Sequence, residues 1–445
     1  MSISKRIASA SAANSVSILT TSAVQLVTIP VLAASWGKEA FGIWLMIATL
    51  PSYFALTDLG FIQAATSDMT MNAARGNREQ VLRTFQSTAI LFLATIAAVL
   101  SVIGAGLAVL DHSGIAEAQD FPIIATIAVL AVYSGLALLS RLTIAGFRAN
   151  GLYAQGTLLF DSLVFLEGMI MVAVVLSGGG PLAAATTLLC ARPVSMVIAY
   201  AVLRRKLPWL HYGLAHASLK EIMRLLHPAL GAMTVPAAIS VNLQGVVLVI
   251  GAVLSPVAVA LYTPVRTLSR LAVQLAGIIN RATMPEIARA KAQADDQALS
   301  RILGLNLAVM GLILLPGCLV FAAIGSPLIA LWTGGHIVPP RLFVAIMAAA
   351  TLAHGLWYFL SNALIATNSH MSLTGTLVTS APLGLVLAGL GGHLLGLNGV
   401  ALGLLATELF CLGKVLTVFP WTSVQRSDLG LPFRTIRRMI REIRI

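Results

Sequence analysis

The chain has 445 residues, of which 58% are hydrophobic and 10% are charged, and its mean hydropathy is +0.92. A soluble domain carries about 25% charged residues, so this composition excludes a soluble protein and predicts a membrane protein. The formal net charge of +12 comes from cations in short loops between apolar segments, and without a soluble basic domain nucleic acid is not an expected partner.

Twelve apolar stretches follow one another along the chain, and each is long enough to cross a bilayer as a helix. The predicted spans lie near residues 14–36, 41–64, 84–110, 121–145, 156–177, 181–203, 226–250, 256–280, 302–325, 341–365, 371–391 and 396–419. The sequence therefore predicts an all-α integral membrane protein with about 12 transmembrane helices.

The distribution of cations predicts the orientation of these spans. With the N-terminus inside, 21 Lys and Arg residues fall in cytoplasmic segments, whereas only Lys38 and Arg341 fall in outside loops. Cytoplasmic loops carry the excess of cations, so both termini are predicted to lie on the cytoplasmic side of the membrane. The basic segment 420–445 is predicted to be a cytoplasmic tail, either an amphipathic helix on anionic lipid or a solvated coil.

The chain divides at the basic linker 204–225 into two six-span halves, 1–203 and 226–419. Arg83 and Arg301 occupy corresponding positions, at the entries of the third and ninth spans. Because each half has an even number of spans, both halves start on the same side of the membrane, which predicts a parallel repeat. Two six-helix lobes around a central cavity are the expected architecture, and it suits alternating access.

The eighth span carries the polar pattern that says most about function. Arg266, Arg270 and Gln274 recur at intervals of four residues and therefore share one helix face. Two arginines one turn apart repel each other unless an anion lies between or opposite them. The pattern predicts a binding site for phosphate or carboxylate, since Arg offers a planar fork of donors. Salt bridges to carboxylates such as Asp161 or Glu167 are the alternative interpretation.

The first and tenth spans carry further polar faces that are candidates for the wall of a cavity. Asn14 and Gln25 in the first span could hydrogen-bond sugar hydroxyls. His354 and Asn362 in the tenth span lie on one face with Tyr358, a combination of amide and aromatic groups that also suits sugars. Hydrogen bonding between helices is the alternative for both faces.

Five further charged residues lie within predicted spans, where an ionisable group is costly and usually has a partner or a function. Asp58 in the second span is predicted to be a structural lock if an arginine lies near it, and a coupling group for protons or Na⁺ if it stands alone. Arg141, Asp161, Glu167 and Arg192 fall in the fourth to sixth spans. Pairing among them is expected, but spacing does not show which pairs form.

The sequence has no phosphate-binding loop for ATP, no HExxH motif and no His and Cys residues at metal-binding spacing. No loop is long enough to hold a soluble catalytic domain, and nothing resembles a nucleophile with its base. We therefore expect neither a cofactor nor a metal, and we do not expect an enzyme.

Two pairs of motifs resemble a known family. The second span contains AFGIWL at 40–45 and LTDLG at 56–60, and the eighth-span region contains YTPVR at 262–266 and MPEIA at 284–288. These motifs, together with twelve spans in two halves, resemble the polysaccharide-flippase branch of the multidrug/oligosaccharidyl-lipid/polysaccharide (MOP) exporter superfamily. The resemblance covers most of the chain.

This resemblance implies the translocation of lipid-linked oligosaccharides, typically on polyprenyl diphosphate, across the bacterial inner membrane for the biosynthesis of O-antigen or other polysaccharides. The implied partners are that lipid-linked glycan, membrane lipids and polysaccharide-assembly proteins. A cation-coupled antiporter of drugs or small molecules in the same superfamily is one alternative. A membrane glycan polymerase or glycosyltransferase is another, although no large loop with acidic residues is present.

Overall fold

The computed structural model describes residues 3–112, 122–366 and 371–419, and every regular element in these ranges is an α-helix. The helices in chain order are α1 Ile3–Ile47, α2 Leu50–Leu56, α3 Phe61–Ala74, α4 Arg78–His112, α5 Ile123–Ala149, α6 Tyr153–Leu176, α7 Pro181–Lys206, α8 Leu219–Val253, α9 Pro256–Ala292, α10 Asp296–Trp332, α11 Arg341–Ala366 and α12 Met371–Val418. The basic tail predicted over 420–445 lies outside the described residues.

Nine helical segments of the described chain are long and apolar enough to cross a membrane. Two of them, Val16–Leu56 and Leu373–Val418, contain a break in the helix, at Gly37 and at Leu395–Gly396. Each of these two segments therefore covers more than one predicted span. The predicted eighth span, α9, is not among the nine, because its arginines make it less apolar than the other helices. The prediction of a multi-pass, all-α membrane protein is confirmed.

The prediction of one continuous helix over 41–64 is wrong. Pro51, which has no backbone N–H to donate, lies in the first turn of a new helix, α2. After α2 the backbone turns sharply, with positive φ angles of 48° at Leu59 and 77° at Gly60. Asp58 consequently lies in the turn between α2 and α3, and not within a continuous span. Hydropathy detects the apolar stretch but averages over this turn.

Residues Met1–Val247 form one compact unit, called unit 1 below. Helix α5 is central to it and contacts α2, α3, α4, α6 and α7. Fully buried Phe85, Phe92 and Leu142 are part of its apolar core. A helix surrounded in this way must present each of its polar residues to another helix or to an internal cavity.

Residues Leu248–Ile445 form a second compact unit, called unit 2. In its described part, α9 packs against α10 and α11, and α11 packs against α12. Helix α12 bends at Leu395–Gly396, where a Cβ atom on Gly399 would overlap the carbonyl oxygen of Gly391. The lobe boundaries predicted at 203 and 226 stay a prediction, as does a central cavity.

Candidate functional site

A cavity of about 420 Å³ lies within unit 1, between α2, α3, α5, α6 and α7. Four charged residues line it: Arg141 and Arg148 on α5, Asp161 on α6 and Arg192 on α7. The two α5 arginines are seven positions apart, which is about two helical turns, so they share one face. Uncharged polar groups come from Gln63, Thr66 and Ser134. The cavity thus brings together three of the charged residues that the sequence singles out, Arg141, Asp161 and Arg192.

Asp58 is paired with an arginine of this cavity. Its Oδ2 lies 3.6 Å from Nη1 of Arg141, and its Oδ1 accepts a 2.8 Å hydrogen bond from the backbone N–H of Gly60. The second bond stabilises the turn into α3, a common use of an Asp side chain in a tight turn. Asp58 therefore has the arginine neighbour that its predicted structural role requires.

Arg192 and Glu167 form the most deeply buried ion pair of unit 1 among the described residues. The distance from Nη2 of Arg192 to Oε2 of Glu167 is 2.6 Å, and their side chains are only 4% and 2% exposed. Nη2 also donates a 2.5 Å hydrogen bond to the hydroxyl of Tyr133, whose ring centre lies 4.8 Å from the guanidinium. Such a pair fixes α6 against α7 and leaves little of the Arg192 charge for a ligand.

Arg148 and Asp161 both line the cavity, and they interact electrostatically. The hydroxyl of Ser17 donates a hydrogen bond to Asp161, and the Arg148 guanidinium lies 4.8 Å from the ring centre of Tyr153. The Tyr153 hydroxyl in turn donates a 3.0 Å hydrogen bond to Oδ1 of Asn14. Asn14, predicted to line a cavity, is here engaged by a neighbouring helix.

Unit 2 contains a second cluster of charged and aromatic groups, and it includes both arginines that the sequence predicts for α9. Arg266 and Arg270 are half-buried and one turn apart. The Arg266 guanidinium lies 5.3 Å from the ring centre of Tyr262, in a cation–π contact. The two guanidinium charges repel each other electrostatically. This cluster is called the arginine cluster below.

Glu408 on α12 is the carboxylate of the arginine cluster. It interacts electrostatically with Arg270, and its Oε2 accepts a 2.5 Å hydrogen bond from Nε1 of Trp357. The same oxygen lies 3.1 Å from Nδ1 of His354, and the His354 ring stacks on the Tyr358 ring at 5.9 Å between centres. Of the alternative partners named from the sequence, Glu167 pairs with Arg192 and Asp161 interacts with Arg148 within unit 1, and a salt bridge from either to an α9 arginine stays a prediction.

The remaining predicted site residues differ in burial. Gln25 on α1 is exposed, and Gln274 on α9 is half-buried. Asn362 on α11 is buried, and its amide nitrogen has no hydrogen-bond partner in the described part of the chain. Gln25 is not among the residues that line the cavity of unit 1. A role in substrate binding stays a prediction for all three residues.

A third charged network lies where α3, α4 and α8 meet in unit 1. Arg224 forms ion pairs with Glu221 and, at 2.8 Å, with Asp68, while the Thr84 hydroxyl lies 2.8 Å from both carboxylates. Burial alone would raise the pKa of Glu221, but hydrogen bonds from Arg224, Thr84 and Gln80 outweigh it and lower that pKa. Sequence spacing could not reveal this network, since its members are up to 156 positions apart.

Metal binding finds no support within the described ranges, where no three His, Cys, Asp or Glu residues are grouped to hold an ion. Sequence reasoning also misses two residues. Arg148 is only one of the 21 cations assigned to cytoplasmic segments, although its seven-residue spacing from Arg141 could have placed both on one face. Glu408 receives no role, although it is the only acidic residue between 297 and 419.

The comparisons with known proteins agree with this architecture. The model of a family described as polysaccharide biosynthesis protein matches residues 8–291, which is more than half of the chain. A comparison with curated proteins gives no match.

Several solved structures superpose on nearly the whole chain. An inward-facing multidrug resistance transporter of the MATE family, in the MOP superfamily, gives a TM-score of 0.73 at 14% identity, over 90% of this chain and 93% of that one. The lipid II flippase MurJ in an inward closed conformation gives 0.72 at 10% identity, over 93% of this chain and 88% of that one. A MOP superfamily transporter from Pyrococcus furiosus, described as having a binding pocket of reverse polarity, gives 0.61 at 14% identity over 94% of each chain.

At these identities the superpositions show the fold alone, and it is the fold that the resemblance to the MOP exporter superfamily implies. The match to the family model confirms the resemblance that the motifs of the second and eighth spans suggest. The chain belongs to the polysaccharide biosynthesis protein family, and it has the fold of MOP superfamily transporters.

Proposed function

We propose that this protein is a flippase that moves a lipid-linked oligosaccharide, carried on polyprenyl diphosphate, across the cytoplasmic membrane for polysaccharide biosynthesis. Membership of the polysaccharide biosynthesis protein family supports the pathway, and a fold shared with transporters and with a lipid II flippase supports the kind of movement. The movement proceeds by alternating access, with both termini in the cytoplasm, as the distribution of cations favours.

The charge imbalance of the arginine cluster carries this proposal. Arg266 and Arg270 lie one turn apart on α9. Glu408, the only acidic residue in the sequence between 297 and 419, interacts electrostatically with Arg270. The charged members that define the cluster, two arginines and one carboxylate, sum to one positive charge with His354 neutral. Ionisable groups held at membrane depth usually serve a substrate or ion pathway.

A polyprenyl diphosphate matches this cluster chemically. Each of its phosphates presents anionic oxygens, and a planar guanidinium group can bind two of them through two parallel N–H donors. The aromatic groups beside the arginines, among them Trp357 and Tyr358, suit the sugar next to the diphosphate. A lysine would supply the charge but not the fork of donors.

The proposal is tested by replacing both arginines, Arg266→Ala and Arg270→Ala, in cells that carry the chain as their only copy. We expect surface polysaccharide to fall at least about tenfold, because each charge-assisted bond contributes more than about 1.4 kcal/mol. Lipid-linked precursor should accumulate on the cytoplasmic side, measured by extraction of lipids and analysis of their glycans.

The matched control is Arg289→Ala, which removes an exposed arginine from the same helix, where it pairs with Glu286 at 2.9 Å. This variant should display polysaccharide normally. Both variants are first checked for equal amounts in the membrane. Normal display in the double variant, at equal abundance, would rule out the proposed role of the arginine cluster.

An antiporter of small cationic molecules is the second candidate, because Asp161 places a carboxylate in the cavity of unit 1. Such a transporter favours a cavity dominated by carboxylates, whereas three of the four charged lining residues here are arginines. The two candidates differ in a direct assay. Export of a cationic dye that is lost in Asp161→Asn, with normal polysaccharide display, would favour the antiporter.

A further inference from the structure

We infer that the cavity of unit 1 is a binding subsite for a neutral sugar ring. The inference rests on the proposed function only in assigning that sugar to the glycan that is moved; the recognition chemistry is argued from the cavity itself. Its volume of about 420 Å³ falls within the roughly 300–1,000 Å³ that is usual for small-molecule sites. A single sugar ring fits this space.

Charge balance in the cavity favours a neutral ligand. The carboxylate of Asp58 lies 3.6 Å from Arg141. The carboxylate of Glu167 lies 2.6 Å from Arg192. The remaining arginine, Arg148, interacts electrostatically with the aspartate of the lining. The three lining arginines are therefore matched by three carboxylates. An anionic ligand would compete with these carboxylates for the arginines and would meet the negative charge of the aspartate in the lining.

The polar atoms left over are of the kind that a hydroxyl group satisfies. Oδ2 of Asp161, Nε of Arg148 and Nε of Arg192 are buried and have no hydrogen-bond partner among the residues that the structure describes. The first atom accepts a hydrogen bond and the other two donate one, and sugar hydroxyls can do both. A ligand with donors alone or acceptors alone would not satisfy all three atoms.

The rest of the lining also matches a sugar. The exposed amide of Gln63 adds a donor and an acceptor, and Phe160 adds an apolar aromatic ring to the lining for the C–H side of a pyranose, with the Arg192 guanidinium 5.9 Å from its centre. The wall is otherwise mostly aliphatic and includes Leu138 and Ile144. Sites of this composition bind ligands that carry both hydroxyl groups and apolar edges.

The experiment uses the purified full-length chain in phospholipid nanodiscs, because sugar-based detergents would compete. Saturation-transfer NMR titrations measure the binding of the methyl glycosides of glucose, galactose, mannose, rhamnose and N-acetylglucosamine. Two comparison probes are included. Cyclohexanol is a neutral ring with a single hydroxyl group, and inorganic pyrophosphate is an anion. We expect at least one glycoside to bind, with neither comparison probe displacing it.

Two variants locate the binding. Asp161→Asn should weaken glycoside binding about tenfold, because a site built to hydrogen-bond a hydroxyl loses much of its affinity when one hydrogen-bonding partner is altered. Gln63→Ala, which leaves every charge in place and changes an exposed residue, should weaken it about threefold. The control Asp111→Asn changes an exposed aspartate at the end of α4 and should leave binding unchanged.

Absence of binding by every glycoside would overturn the inference, as would glycoside binding that neither Asp161→Asn nor Gln63→Ala weakens. Displacement of the glycoside by pyrophosphate would overturn it too, because it would identify an anion site instead. These outcomes are separate from those of the flippase test. Sugar binding that depends on Asp161, in a protein whose α9 arginines prove dispensable, would reject the proposed function but keep the subsite.

Discussion

The cavity of unit 1 and the arginine cluster of unit 2 use the same residue types to different effect. In unit 1, Arg141 and Arg192 each lie within 4 Å of a carboxylate, at 3.6 and 2.6 Å. In unit 2, Arg266 and Arg270 stand on one helix face with Glu408 as the nearby acidic residue. The first arrangement is balanced in charge and the second is not.

This difference teaches that a buried arginine is not by itself evidence of an anion site. What matters is the number of carboxylates that the fold brings to it, since an ion pair that is already complete gains little from a further anion. A balanced cavity suits neutral polar ligands, whereas an unbalanced cluster suits a phosphate. The following experiments test each side of this comparison.

The substitution Gly60→Ala tests the turn that holds Asp58 beside Arg141 in the charge-balanced unit 1, without changing any charge. Gly60 donates its N–H to Asp58 and has a φ of 77°, and a Cβ atom there would overlap the carbonyl oxygen of Ala229. Strain from the positive φ and the backbone overlap together should lower the free energy of unfolding by about 4 kcal/mol. Denaturation in mixed detergent micelles measures this loss.

Gly76→Ala is the matched control, because Gly76 has nearly the same φ, 75°, but a Cβ atom added there would meet nothing within 4 Å. It should cost only about 1 kcal/mol. Equal losses in the two variants would mean that the close approach at Gly60 does not stabilise the turn that holds Asp58.

The substitution Glu167→Gln breaks the buried pair of unit 1 and leaves the Arg192 charge without its partner. We expect a loss of about 3 kcal/mol in the free energy of unfolding. The double variant Glu167→Gln with Arg192→Leu should recover part of that loss, because it removes the stranded charge as well. Unfolding of the single and double variants checks this order, and a double variant less stable than the single one would contradict it.

Most of the fold could be predicted from the sequence, because each span is an apolar stretch whose length the bilayer sets. The turn at Asp58–Gly60 could not, since hydropathy averages over a few polar residues. The pairing of Arg192 with Glu167 is predictable in kind, but the spacing along a helix says nothing about contacts between helices. The same limit hides the electrostatic interaction of Arg270 with Glu408, which lies on another helix.

The substitution Glu221→Gln probes a charged network that is outside both regions and in which two carboxylates share one arginine. The hydrogen bonds to Glu221 lower its pKa below the ordinary 4.5, so its stabilising contribution is present above that pH. The contribution is lost as the pH falls below 4.5 toward the pKa of the folded state. At pH 7 the variant should be less stable by about 1–2 kcal/mol.

Thermal unfolding of both proteins between pH 7 and pH 3 checks the sign. The difference between wild type and Glu221→Gln should narrow as the pH falls, because protonation of Glu221 removes the interaction in the wild type. Glu79→Gln, at an exposed carboxylate of α4, should show almost no difference at any pH. A gap that widens on acidification would mean that the pKa of Glu221 is raised in the folded state.

The substitution with the smallest expected effect tests the charge imbalance of the arginine cluster most directly. Glu408→Gln keeps an oxygen to accept hydrogen bonds from His354 and Trp357 but removes the negative charge beside Arg270. Farnesyl diphosphate, titrated into the purified protein in nanodiscs, should bind about fivefold more tightly, a change of about 1 kcal/mol. Glu286→Gln, at an exposed pair on the same α9 helix, should leave the affinity unchanged. Weaker binding of farnesyl diphosphate by Glu408→Gln would mean that Glu408 holds the arginines in place and that the charge imbalance does not govern binding. The expected result would instead show that removing a carboxylate destabilises unit 1 but strengthens anion binding in unit 2.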